Sequence, residues 1–348
     1  ANRSPLAYQP YRALFDKRIQ LVEDKAFADV AVFSASKNIA ECYQEAEERD
    51  LLEKPLAVLS EEPLWDTTWG LEFDQKEASV RVGGRVFSYA ALNHLTTDIF
   101  KFDRIPYFVT TDDRYAVRYA NLFRRNAAMT PQEVLDVWRA APIRQAYFAE
   151  KRSGDRYEFA RPELDLYGYC AFRTRVAEAA PKDGVLRVGQ GWSEAARRQD
   201  LPDWHLDKLT TLDRRTFISS ALENTHLPDY VTEKPFDAFA ALAVPVYAAS
   251  PAHRIHEIVP EGAFINVFGL DAEEAATRLL AFEPDLEFAE RYLDAQRRLA
   301  ALFGNVDILW AERRRVVDAT LRALEAVRRG DFAERPGAPA SVGVSLRA

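Results

Sequence analysis

Residues 223–236, ENTHLPDYVTEKPF, set two Glu, an Asp, a Lys, an Asn and a Tyr between two apolar runs, FISSAL and AFAALAVPVYAAS. Charges next to core need a partner or a ligand. TFISSAL reads as a buried strand ending at Glu223 and Asn224, and Pro235 suits the first turn of a helix. A strand, a loop and a helix start at the edge of a parallel sheet is where open α/β sheets bind ligands. The helix start offers N–H groups to an anion, and Lys234 adds a full positive charge. The chemistry this suggests is anion binding. The competing reading is a surface loop with a Glu–Lys pair and a helix cap.

Other reactive groupings carry less. The chain has no G-x-G-x-x-G, no G-x-x-x-x-G-K-S/T and no H-E-x-x-H. His253 and His256 are three apart, which suits one helical face, but no further metal ligands stand near them in sequence. The paired acids of TDDRY (111–115) read as a solvated turn or a helix cap. Cys42 and Cys170 form neither a metal spacing nor a disulfide framework, so a reduced compartment is expected.

The elements that must position these groups follow from pattern. With 348 residues, two domains are expected, and 48% hydrophobic residues supply two cores. A net charge of −8 argues against nonspecific nucleic-acid binding. No apolar run reaches the roughly 18 residues of a membrane span, and the N-terminus lacks a signal-peptide pattern.

ADVAVFSAS (28–36) and LAVLS (56–60) read as strands. Between them NIAECYQEAEERDLLE reads as a helix with Ile39, Cys42, Tyr43 and Leu51 on its apolar stripe. Strand–helix–strand is the unit of a parallel sheet. SVRVGGRVFSYA (79–90) reads as a hairpin turning at Gly83 and Gly84, and RIPYFV (104–109) as another strand or an extended segment. MTPQEVLDVWRAAP (129–142) has Thr130 as N-cap, Pro131 in the first helical position and Pro142 as its end. After a domain junction there, IRQAYFAEK, LDLYGYCAF, RTFISSALE and VPVYAA alternate with polar or helical stretches, as in a second α/β domain. DAEEAATRLLAF, DLEFAERYLDAQRRLAALF and WAERRRVVDATLRALEAVRRG (310–330) read as amphipathic helices, and RPGAPASVGVSLRA as a flexible tail.

Residues 221–269 resemble the α1,3/4-fucosyltransferase family, bacterial type. The likeness lies in Glu223-Asn224-Thr225, then Tyr230-Val231-Thr232-Glu233-Lys234, an apolar helix, the strand VPV, and PEGAFINV. LTTLDRRTFISSALEN extends it upstream. ELDLYG (163–168) resembles the family's Val-Asp-Val-Tyr-Gly strand, with extra residues over 169–205. AYFAEKRSGDRYEF (146–159) resembles its apolar strand, Ser-Asn-Pro and Arg-x-x-Phe. Arg156 and Phe159 stand in the Arg-x-x-Phe, but Lys151, Arg152 and Ser153 replace Ser-Asn-Pro. LAVLSEEPLW and IFKFDRIPYF resemble N-terminal segments.

The resemblance implies a GT-B fold: two Rossmann-like α/β domains facing across a cleft, with C-terminal helices. It implies an acceptor-binding domain over 1–140 and a donor domain over 141–305. A helix over 306–330 would cross back to the first domain or mediate dimerisation, and a tail would follow over 331–348. The implied activity is inverting transfer of L-fucose from GDP-fucose to a hydroxyl of a GlcNAc- or glucose-containing acceptor, α1,3-linked, with neither metal nor cofactor. Glu61 would be the general base, with Glu62 as the alternative. Arg156 and Lys234 would hold the diphosphate, and Asn224, Tyr230 and Glu233 the rest of the donor. An anionic Glu233 suits sugar hydroxyls and an oxocarbenium-like transition state better than phosphate. The partners implied are a nucleotide sugar and an oligosaccharide or glycolipid acceptor, in the cytoplasm or peripherally at the inner membrane face. Another nucleotide sugar, or a non-catalytic carbohydrate- or nucleotide-binding protein, are the readings left open.

Overall fold

The first strand pair forms where the sequence turns apolar. A computed structural model describes residues 3–15, 18–22, 24–45, 49–64, 73–192, 200–331 and 344–345. The chain divides into two compact units, the first over 1–103, 110–112 and 310–348, the second over 104–109 and 113–309. It is a mixed α/β protein with parallel sheets and, among the described residues, eleven α-helices.

In the first unit, β1 (Ala31–Phe33) and β2 (Leu56–Leu59) pair in parallel. β3 (Glu77–Val82) and β4 (Arg85–Leu92) form the expected hairpin, and β4 lies parallel to β2. The order is β1-β2-β4-β3, with Val344–Ser345 beside β3. Gly83 and Gly84 both take positive φ, as a two-residue hairpin turn requires, and a Cβ on Gly83 would strike the Tyr43 ring. The helix Lys37–Gln44 presses Ile39 and Cys42 onto Leu56, Val58 and Phe87. It is shorter than the pattern predicts, and Leu52 returns to the core on a separate 3-10 turn, Arg49–Glu53. RIPYFV is not a strand: Pro106 has no N–H for a ladder, and Tyr107–Thr110 is a 3-10 turn.

The long helix Val306–Arg329 enters the first unit from Trp310 onward. There the buried Arg313 donates to the Thr110 carbonyl at 3.0 Å, and Glu312 accepts the Asp103 amide at 3.1 Å. Most of the expected tail, 332–343 and 346–348, lies outside the described residues. No helix among the described residues is long and apolar enough to cross a membrane.

The second unit holds the parallel sheet that matters most. Its strands are β5 (Ile143–Phe148), β8 (Val185–Val188), β9 (Thr216–Ser220), β11 (Val244–Tyr247) and β12 (Ile265–Asn266). Numbered within this sheet, their chain order reads 2-1-3-4-5 across it, since the spatial order is β8-β5-β9-β11-β12. The chain therefore reverses direction between β5 and β9, and such a switch point opens a crevice at the strands' carboxyl ends. Pro245 is tolerated inside β11 because pairing with β12 begins only at Val246.

ELDLYG does form a strand, as expected, but in a small separate sheet: β7 (Leu166–Gly168) pairs antiparallel with β6 (Ala160–Arg161) and β10 (Thr225–His226). The crossover from β5 to β8 runs through the helix Cys170–Ala179. VLRV is half-buried along its length and short, which hid it beside the more strand-like LYG. The unit boundary also differs from 140. The helices Asp113–Ala127 and Pro131–Ala140 pack with the second unit, where Trp138 lies edge-on to Tyr292 and donates to the Leu242 carbonyl at 2.7 Å.

The helix Lys234–Ala240 is buried almost throughout. Asp237, fully enclosed, accepts from Lys208 at 2.8 Å, from His205 at 2.6 Å and from Tyr119 at 2.6 Å. Burial alone would raise its pKa, but Lys208 and His205 outweigh it and hold the carboxyl well below the usual range. This network anchors the helix, and with it the loop that precedes it.

Candidate active site

In the second unit the charged stretch answers its own question. β9 ends at the switch point and delivers Glu223, only 4% exposed, into the protein. Its carboxylate accepts from the Thr232 amide (2.9 Å), the Thr232 hydroxyl (2.8 Å) and the Lys234 ammonium (2.7 Å). Lys234 also donates to Thr232 Oγ1 at 2.8 Å and lies 3.9 Å from Glu233. Burial pushes Lys234 toward neutrality, but Glu223 and Glu233 reverse this and raise its pKa. Lys234 is thus a charged residue whose charge is largely balanced inside the protein. The surface-loop reading is half right: a Glu–Lys pair is present, with Glu223 buried and Lys234 half-buried.

A balanced lysine leaves little net charge for an anion. The second cation comes from the helix Cys170–Ala179. Arg173 is 9% exposed, and its Nη1 lies 3.5 Å from the Leu222 carbonyl. Its Nε has no hydrogen-bond partner among the described residues, and its charge acts on Lys234. A buried guanidinium nitrogen left without an acceptor costs about 1–3 kcal/mol or more. The group is therefore poised for an anion, and it sits beside the loop that follows β9. Sequence reasoning passed over both Glu223 and Arg173. The Glu223-Asn224 pair was visible, but not the direction of its carboxylate, and Arg173 was read as part of the extra segment.

The other expected donor residues fall into different places. Glu233 stands at the N-cap of the buried helix without a side-chain cap bond, close to Lys234. Asn224 is half-buried, and its carbonyl accepts the Tyr169 amide at 2.9 Å, tying the end of β9's loop to the start of the helix Cys170–Ala179. Tyr230 is 1% exposed and edge-on to Phe108, with centroids 5.3 Å apart, so its ring braces the loop and does not present an open face. Arg156 is exposed on the 3-10 turn Asp155–Tyr157, and its hydrogen bond (2.7 Å) and ring contact (4.7 Å) both go to Tyr157. Arg156 thus stands on an exposed turn just before β6, occupied with its neighbour. Arg152 pairs with Glu150, and its amide donates to Thr174 at 3.0 Å.

The histidines serve packing. His253 is buried against His226, with centroids 5.0 Å apart, and His256 Nε2 lies 3.1 Å from the Ser250 carbonyl. Among the described residues no group of three or more His, Cys, Asp or Glu is arranged to hold a metal.

In the first unit Glu61 and Glu62 are neighbours with opposite environments. Glu61 follows the end of β2 and is 3% exposed. Its Oε1 accepts from the Tyr8 phenol at 2.6 Å, and its carbonyl lies 2.9 Å from His94 Nε2. Glu62, half-buried, forms an ion pair with the exposed Arg3 at 3.0 Å. An enclosed carboxylate with a fixed hydrogen bond suits proton transfer better than a salt-bridged one.

His94 stacks on Phe100, centroids 4.6 Å apart, and burial lowers its pKa from 6.5 to about 4. The folded state therefore holds His94 neutral while the unfolded chain would protonate it. Stability is full above pH 6.5 and falls as pH drops toward 4, by about 3 kcal/mol in total from this residue. Urea titrations from pH 7 to pH 4 are expected to show that loss in the wild type and its absence in His94→Gln. Equal losses in both proteins would mean that His94 is not held neutral.

Residues 192–310 match the family model described as Glycosyltransferase family 10 (fucosyltransferase) C-term. The match spans the β9 loop, Glu223, Lys234 and the helices after it. No curated protein matches the chain.

Proposed function

From the match over 192–310, which supports assigning the chain to the fucosyltransferase family of glycosyltransferases, we propose that it transfers L-fucose from GDP-fucose to a hydroxyl of a GlcNAc- or glucose-containing acceptor. The reading extends to inversion at the anomeric carbon, an α1,3 linkage and a GT-B arrangement. The observation that carries it is the Glu223–Lys234 pair with Arg173 beside it, at the carboxyl ends of β5 and β9.

In this reaction the acceptor oxygen attacks the anomeric carbon and loses its proton. The bond from that carbon to the diphosphate oxygen breaks, and GDP leaves with the electron pair. The charge gained by the diphosphate is stabilised by donors that are already in place. Arg173 presents a planar fork to phosphate oxygens, and Lys234, held charged by Glu223, adds a point charge. Glu233 is suited to the fucose hydroxyls and the positive character of the transition state, and Asn224 to the nucleoside or sugar. Arg156, on its exposed turn, is proposed for an outer contact with the donor. Glu61 takes the acceptor proton. Cationic side chains can thus meet the leaving-group charge without a resident metal.

The test is product analysis by mass spectrometry. The protein is incubated with GDP-fucose and a panel of GlcNAc- and glucose-containing oligosaccharides and glycolipids. Parallel reactions use UDP-, ADP- and TDP-sugars. Acceptors one deoxyhexose heavier with GDP-fucose alone are expected. Transfer from a different nucleotide sugar, or GDP binding with no transfer to any acceptor, would replace this reading.

A further inference from the structure

The carboxylate of Glu61 is held by a group from a distant part of the chain. Tyr8 lies 53 residues earlier, just before the short helix Gln9–Phe15, and donates its phenolic hydrogen to Oε1 at 2.6 Å. The same helix is itself fastened: Tyr11, fully buried, meets Thr110 Oγ1 at 2.5 Å. On the other side, the main chain at Glu61 is pinned through its carbonyl by His94. A neutral imidazole can hold that carbonyl only by placing its proton on Nε2. Side chain and backbone of Glu61 thus each meet an aromatic donor.

We propose that Tyr8 is a positioning residue for the general base: its hydroxyl orients the Glu61 carboxylate and keeps it ionised at the pH of catalysis. This rests on the reading of Glu61 as the base. Burial of a carboxylate favours its neutral form, and a hydrogen bond donated to the charged form opposes this. Without Tyr8, Glu61 would be protonated over a wider acid range and freer to rotate. The phenol is suited to the task because it does not ionise in competition: burial first, and then the Glu61 charge, push its pKa far up. The other charged groups nearby are Arg3 and Glu62, which face each other as an ion pair, and His94, which stays neutral above about pH 4. Over the neutral range, the hydrogen bond from the Tyr8 phenol can be removed without changing net charge.

The experiment is the pH profile of kcat/KM for transfer by wild type, Tyr8→Phe and Glu61→Gln. Tyr8→Phe is expected to move the acidic limb upward by about 1–2 pH units, the worth of one hydrogen bond to a buried charge. It should lower kcat, most strongly below neutrality, and leave the KM for GDP-fucose unchanged. A fluorinated tyrosine at position 8, a stronger phenolic donor of nearly the same shape, should move the limb downward. That second arm stays decisive if Tyr8→Phe fails to fold. An unchanged limb in both proteins overturns the role of Tyr8. If Glu61→Gln retains transfer, the assignment of the base fails. If Glu61→Gln is inactive while both position-8 proteins keep the wild-type limb, only the Tyr8 inference fails.

Discussion

Glu61→Gln is expected to lower kcat by about 10²–10⁴-fold, the usual contribution of a positioned general base. Gln keeps the shape and can still meet Tyr8, but it cannot accept the acceptor proton. Because Glu61 lies in the first unit and the charged β9 loop in the second, the dissociation constant for GDP should be unaffected. Calorimetry with GDP alongside single-turnover rates with GDP-fucose separates the two quantities. Glu62→Gln is the control: it removes a partner from an ion pair with the exposed Arg3, and ion pairs with an exposed member contribute about 0–1 kcal/mol. Its rate should stay within a few-fold of wild type. Full transfer by Glu61→Gln, or a collapse caused by Glu62→Gln instead, would move the base elsewhere.

Arg173→Ala is expected to reduce kcat/KM for the donor by about 10²–10³-fold, comparable to removing one preorganised donor from a charge-stabilising site. Most of that loss should appear as weakened GDP binding, because the diphosphate is charged in the ground state as well. Arg173→Lys should recover only part of it, since an ammonium restores charge but not the two parallel hydrogen bonds of a guanidinium. Arg156→Ala should cost far less, because Arg156 is exposed and occupied with Tyr157. The ordering is the decisive readout. If Arg156→Ala is the severe variant and Arg173→Ala binds GDP normally, the exposed turn and not the crossover helix holds the diphosphate. A folding control is needed because Arg173 is buried, and the thermal midpoint of Arg173→Lys supplies it.

Much of the site's composition was readable in sequence because its signals are local. The loop between β9 and its helix announces itself as charge between apolar runs, and Pro235 does fall in the first turn of that helix. Thr130 caps its helix through a full capping box with Glu133, as the spacing T-P-Q-E predicts. The Gly83-Gly84 hairpin needs only its own turn chemistry. ELDLYG is strand-like in its local pattern and does form a strand, but local pattern does not say which sheet a strand joins.

The sequence by itself determined the mixed α/β class, the charged loop and its Lys234, and a carboxylate at the end of the second strand. These follow from periodicity, breakers and residue type within short windows. Tertiary structure decided the rest. It buried Glu61 and paired Glu62 with Arg3. It placed Arg173 beside a carbonyl 49 residues away and set Tyr8 on a carboxylate 53 residues away. It turned Lys234 from a bare charge into half of a pair with Glu223. Each of these depends on which remote segments meet. That is fixed by the strand order 2-1-3-4-5 and by the packing of the crossover helix, neither of which leaves a period in the sequence.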